Sequence, residues 1–122
     1  MMPFQRLEVW HDAHAFALAV NAAADTWPPR EMFVLTAQVR RAAISIPNNM
    51  SEGVAKKGLK EFRRFLDIAL GSFSELTYLL LFARDRGYLT QEKWQELDDQ
   101  RARLGRRLWA LYKGVARKAE AP

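Results

Sequence analysis

The sequence predicts an all-α protein, an up-down-up-down antiparallel four-helix bundle, and three observations carry that prediction. Leu35 to Gly87 holds a single proline, Pro47, in fifty-three residues, while its large apolar side chains recur at helical rather than strand spacing. Two segments repeat apolar residues at alternating intervals of four and three, the seam pattern of a left-handed bundle. The breaks between segments are short, which makes helices adjacent in sequence antiparallel neighbours in space.

The first helix is expected from about Leu7 to Asp25, stopped by Pro28 and Pro29. Trp10, Ala13, His14, Ala17, Leu18 and Ala24 form one stripe on it, and Val9, Phe16, Val20, Ala23 and Trp27 form an adjacent one. The second helix is expected from Glu31 to Val54 with Pro47 inside it. A proline there either kinks the helix or ends it near Ile46 with Asn48 capping a restart. The spacing Leu35, Val39, Ala42, Ile46, Met50 and Val54 passes through Pro47 in phase, which favours the kink.

The third helix is expected from Leu59 to Arg86, with Gly87 as its C-cap. Its seam is Phe62, Leu66, Ala69, Phe73, Leu76, Leu80 and Ala83, and it carries a second stripe of Phe65, Ile68, Leu79 and Phe82. Thr90 is placed to cap the fourth helix, Gln91 to Arg117, whose seam is Trp94, Leu97, Arg101, Leu104, Leu108, Leu111 and Val115. Lys118 to Pro122 reads as a frayed tail. The second stripes exceed what one bundle core uses, so the chain is expected to self-associate into a closed ring.

Residues 1–122 read as one domain, with no linker long enough to divide it. The absence of cysteine excludes disulfides, thiolate metal sites and cysteine nucleophiles, and fits a cytoplasmic setting. The start lacks the basic-then-apolar order of a leader, and no run of about 18 residues is free of charge, so no membrane association is expected.

Nineteen Lys and Arg against fourteen Asp and Glu give a formal charge of +5, a balance that favours anionic partners. Lys56, Lys57, Lys60, Arg63 and Arg64 cluster against Glu61, and residues 101–118 hold seven cations and no carboxylate. The C-terminal run has two readings of equal weight: a binding surface, or cations offsetting the negative pole of the last helix. The 56–64 cluster resists the second reading, because it precedes a helix whose dipole disfavours cations. Lys56, Lys57, Lys60, Arg63 and Arg64, with Arg106 and Arg107, are therefore the candidate nucleic-acid contacts.

No constellation points to catalysis. Ser45, Ser72 and Ser74 have no evident His and Asp partners. Glu52 and Glu75 are read as hydrogen-bonded to Arg40, Arg41, Asn48 or a backbone amide rather than as an acid–base pair. His11 and His14 stand at metal-ligand spacing without further ligands, and His14 is read as a core histidine; no metal and no cofactor are expected. In ALGSFSEL, residues 69–76, the mid-helix Gly71 predicts close approach of another element beside Glu75.

LEVWHDAHAFAL, LTAQVRRAAISIPNNMSEG, KEFRRFLDIALGSFSEL and the Gly-Tyr-Leu turn together resemble the bacterial four-helix-bundle family encoded in intervening sequences of 23S rRNA. That family includes the accessory variability determinant of diversity-generating retroelements. The resemblance spans about Leu7 to Val115 and centres on Arg40, Arg41, Ser45, Pro47, Asn49, Glu52, Gly53, Gly71, Ser72 and Glu75. It implies a homopentameric ring without catalytic activity. It also implies a basic surface for RNA or DNA or, alternatively, an adaptor surface for a reverse transcriptase or another acidic protein.

Overall fold

A computed structural model describes all of residues 1–122. The chain forms four helices and no strand: α1, Glu8–Ala24; α2, Leu35–Ala55; α3, Leu59–Asp85; and α4, Gln91–Glu120. Single 3-10 turns at Pro3–Arg6 and Pro29–Glu31 lead into α1 and α2. Each helix packs on two others, α1 and α3 both lying against α2 and α4, with no diagonal contact.

Side-chain pairs fix the antiparallel order. At one end of the α1–α2 seam the Trp10 indole donates to Ser51 Oγ at 3.0 Å and to the Pro47 carbonyl at 3.2 Å. At the other end Arg40 pairs with Asp25. Residues 53 and 65 meet across α2 and α3, 105 and 73 across α4 and α3, and 107 and 12 across α4 and α1. Each pair joins an early residue of one helix to a late residue of its neighbour, or two middles.

The α3 and α4 seams meet α1 and α2 residues such as Phe16, Val20, Val39, Ile46 and Met50 in one core. Leu66, Ala69, Leu76, Leu80 and Ala83 meet Leu97, Leu104, Leu108 and Val115, all buried, with Phe62, Phe73, Trp94 and Leu111 packed at the margins. α3 is also long and apolar enough to cross a membrane by length and composition, because the seam side chains outnumber Asp67 and Glu75 over much of its length. In this fold those side chains face α2 and α4.

Both α3 termini need glycine. Gly58 reverses the chain between α2 and α3 at φ +86°, and Gly87 follows α3 at φ +81°. Gly87 N–H bonds the Arg84 carbonyl and Tyr88 N–H the Ala83 carbonyl, both at 2.9 Å, a Schellman closure. Thr90 Oγ1 then accepts from Lys93 N–H at 3.0 Å and starts α4.

Several expectations change. α2 begins at Leu35 rather than Glu31, because Pro29 starts a 3-10 turn and the Tyr88 hydroxyl donates to Glu31 Oε2 at 2.7 Å, holding it in the connection. The same hydroxyl accepts from Arg86 at 3.3 Å, which raises the Arg86 pKa above its usual value. α4 continues to Glu120 instead of fraying at Lys118, since Arg63 holds the Glu120 carboxylate at 2.8 Å. α2 runs through Pro47 without interruption, so Asn48 does not cap a new helix.

On α1 both stripes enter the core in part: Ala13, Ala17 and Ala24 of the first and Phe16, Val20, Ala23 and Trp27 of the second are buried, while His14 and Leu18 face solvent. Phe65 and Leu79 of the second α3 stripe are buried as well. Ile68 and Phe82 of that stripe stay exposed, so the surplus apolar surface is smaller than the sequence implies but lies partly where it was expected.

Candidate nucleic-acid interface

The predicted cations do not form one set. Ala55 ends α2 and Lys56 is its C-cap, so Lys56 and Lys57 stand beside the carbonyl end of a helix, where cations are favoured. Local helix stability accounts for those two. Lys60, Arg63 and Arg64 lie in the first turns of α3, against its dipole, and still call for another explanation. Arg64 rests over the Phe65 ring at 4.6 Å and pairs with Glu61 at 3.1 Å; Arg63 pairs with Glu120 at 2.8 Å. Lys56, Lys57 and Lys60 have no carboxylate within 4.0 Å.

The Arg63–Glu120 pair ties the start of α3 to the end of α4. Lys60, Arg63, Arg64, Asp67, Tyr112 and Glu120 line an open cleft between them. A second depression, lined by Ala110, Tyr112, Lys113, Ala116, Arg117 and Glu120, shares Tyr112 and Glu120 with the first. The two are one continuous surface. Lys56, Lys57, Lys60, Arg63, Arg64, Lys113, Arg117 and Lys118 share this end of the bundle with Glu61, Asp67 and Glu120. Eight cations stand there against these three carboxylates and the nearby Glu52, so positive charge predominates at this end.

Lys113 and Arg117 belong to a row that sequence inspection left out. Arg103, Arg106, Ala110, Lys113 and Arg117 are all exposed and alternate intervals of three and four along α4. That is the seam spacing turned outward. The period was readable: the same heptad count that finds Leu104, Leu108 and Leu111 returns this row when shifted to the opposite face.

Arg106 lies in the row; Arg107 does not. Arg107 turns toward α1, where its guanidinium pairs with Asp12 and with Glu8 at 2.9 Å, and Arg103 reaches Asp12 at 3.6 Å. Arg107 is occupied in an interhelical ion-pair cluster, which removes it from the candidate contacts.

Most of the motif residues are structural. Ser45 and Ser72 join their hydroxyls across α2 and α3 at 2.8 Å, and Asn49 Nδ2 donates to the Ser45 carbonyl at 2.8 Å and hydroxyl at 2.9 Å. Glu52 accepts from Asn48 at 3.2 Å, and Arg40 binds Asp25 rather than a glutamate. Ser51 Oγ donates to the Pro47 carbonyl at 2.9 Å. A Cβ on Gly53 would stand 2.8 Å from Phe65 Cβ, so α3 crosses α2 there.

The close approach expected at Gly71 is absent: a Cβ there would meet nothing within 4 Å. Gly105 makes one instead, 2.8 Å from Phe73 Cζ. Arg41, Gly71 and Glu75 are exposed on the outer α2–α3 face. On that face Val34, Leu35, Tyr78, Leu79 and Phe82 line a groove edged by Gln38, Glu31 and Arg86, and Phe33, next in sequence to Val34, is 88% exposed.

His14 is not a core histidine. Its ring stacks on Trp10 with centroids 5.0 Å apart and 14° between planes, while His11 Nε2 contacts the Gln5 carbonyl at 2.8 Å. No three His, Asp or Glu side chains converge on a metal-sized site.

Comparison with known proteins places the chain. The family model for the 23S rRNA-intervening sequence protein matches residues 5–110, and the chain belongs to that family. A crystal structure of a protein of unknown function from the S23 ribosomal protein family, from Bacteroides thetaiotaomicron, superposes with a TM-score of 0.77 at 24% identity. The alignment covers 86% of this chain and 95% of that one, which shows a shared fold. Among curated proteins none matches the sequence.

Proposed function

We propose that this member of the 23S rRNA-intervening sequence protein family is a cytoplasmic, non-enzymatic, oligomeric protein that binds RNA or DNA through the basic end of α3 and α4. One observation carries the reading: cations outnumber carboxylates at that end, and Lys60, Lys113 and Arg117 there are unpaired. Unpaired cations on one face attract a polyanion and release its counterions.

The outer α2–α3 face supports self-association. Val34, Tyr78 and Phe82 are exposed there at 60%, 62% and 40%, next to the open Gly71. Grouped apolar surface of that kind marks contact with another chain. A second copy is the occupant we propose, in a closed ring of five as the family resemblance implies. A bend of α2 at Pro47, where the proline lacks an N–H for the ladder, sets the curvature of that face. A ring repeats the basic end and lets one strand engage several subunits at high effective concentration.

Binding of mixed-sequence RNA and DNA across a salt series tests the function. Wild type should bind with affinity that falls steeply as salt rises, by about 0.9 log units per neutralised phosphate per decade on duplex DNA. Lys60→Glu/Lys113→Glu/Arg117→Glu should abolish binding while the oligomer mass stays unchanged. No binding by wild type at low salt would transfer the basic end to an acidic protein partner, the adaptor reading.

A further inference from the structure

The aromatic side chains of α4 separate into those that are covered and one that is not. Trp94 lies beneath the Arg84 guanidinium at 4.6 Å, and Tyr112 and Leu111 are half-buried against neighbouring elements. Trp109 is 49% exposed and is the one large apolar side chain of α4 left open to solvent. On α4 itself no aliphatic side chain stands one turn from it. Its neighbours one turn away on the helix surface are Gly105, Arg106, Tyr112 and Lys113. The Tyr112 ring stacks on it with centroids 5.4 Å apart and 18° between planes.

Trp109 therefore adjoins the cationic row, one turn from Arg106 and Lys113, and stacks on the Tyr112 that joins the two clefts. An apolar partner surface would have to desolvate Arg106 and Lys113 to reach it, which is costly without paired carboxylates. A nucleobase meets no such cost: its π-face lies on the indole while its phosphates engage the same cations. The Lys113 ammonium is 5.9 Å from the Trp109 ring, at the outer limit of a cation–π contact, and its long stem lets it swing aside onto a phosphate.

We propose that Trp109, backed by Tyr112, is a stacking platform that makes the basic end selective for single-stranded nucleic acid over duplex. This rests on the nucleic-acid reading above and deepens it. A duplex presents phosphates to the row but keeps its bases stacked inside, so Trp109 contributes nothing to duplex binding. A flexible single strand can lay one base on the indole per subunit. Stacking does not use the 2′-hydroxyl, so RNA and DNA strands of equal sequence should bind alike.

The test compares wild type, Trp109→Ala and Trp109→Phe against three probes at one salt concentration. These are a mixed-sequence single strand of about 20 nucleotides in RNA and DNA forms, the same strand with abasic sites throughout, and the matching duplex. Wild type should hold the single strand about tenfold or more tighter than the abasic strand. Trp109→Ala should erase that margin and leave abasic and duplex binding unchanged, and Trp109→Phe should keep most of it. Circular dichroism and light scattering on both variants should match wild type.

Equal binding of base-bearing and abasic strands by wild type, with normal salt dependence, overturns the platform and leaves the electrostatic reading intact. Failure of every probe to bind overturns both. A change of oligomer mass in Trp109→Phe assigns the indole to a subunit contact and overturns the platform.

Discussion

Helix α4 sends arginines toward both of its neighbours, and the two sides end differently. On the α1 side Arg107 and Arg103 meet Asp12 and Glu8 at a position where the Asp12 side chain is only 20% exposed, and the charges cancel. On the α3 side Arg117 and Lys113 stand near Arg63, Arg64 and Lys60, and Glu61, Asp67 and Glu120 leave these five cations only partly neutralised. The same residue types on one helix thus hold the bundle together on one flank and leave an unneutralised field on the other. Pairing, not the number of cations, separates a structural arginine from an available one.

Leu108 belongs to both flanks, because it is wholly buried where α4 faces the common core. Leu108→Ala should lower unfolding free energy by about 2–5 kcal/mol in urea denaturation. A smaller loss would mean that the flanks are stabilised separately.

The crossing at Gly53 should be next in size. Gly53→Ala pushes a methyl group against Phe65 Cβ and Phe62 Cδ1, both under 3 Å away, and overpacking of that kind costs about 1–3 kcal/mol. Gly71→Ala, with open space around it, should instead raise monomer stability by up to about 1 kcal/mol through helix propensity. A loss of oligomer mass in Gly71→Ala would identify the outer α2–α3 face as the subunit contact.

The paired flank gives a moderate effect. Asp12→Ala strands a partly buried Arg107 and should lose about 1–2 kcal/mol. In a double-mutant cycle Arg107→Ala should add little to it. Additive losses would show that the cluster does not act as a unit.

The unpaired flank gives the smallest effect on folding. Lys113→Ala/Arg117→Ala should change stability by less than about 0.5 kcal/mol while weakening polyanion binding. A large destabilisation would break the comparison, because the cations would then be structural after all.

How much of this was readable depends on what each feature needs. The α3 and α4 seams follow from spacing alone, since Leu66, Leu76, Leu80, Leu104 and Leu108 offer one unambiguous phase. α1 defeats that method: its alanines fit several faces, so Phe16 and Leu18 compete for the core and only packing against α2 and α4 decides for Phe16. Glycine 71 and glycine 53 look alike in sequence, and what approaches each is set by a different helix. Arg106 and Arg107 are consecutive, yet the carboxylate that claims one of them lies 95 residues away. The charge excess was legible; that Lys60, Arg63 and Arg64 lie beside the end of α4 required the contact between Arg63 and Glu120.

The Gly87–Thr90 connection has a kinetic consequence. Its Schellman closure and Thr90 cap are complete within about ten residues, so the α3–α4 hairpin can form with little loop-closure entropy. The α1–α4 seam closes only when the first and last helices meet. The hairpin should therefore assemble before the α1–α4 seam, and α1 should be the segment whose amides exchange with solvent soonest under native conditions. The basic end is built on α3 and α4, so its cations would be brought together on the hairpin before the α1–α4 seam closes.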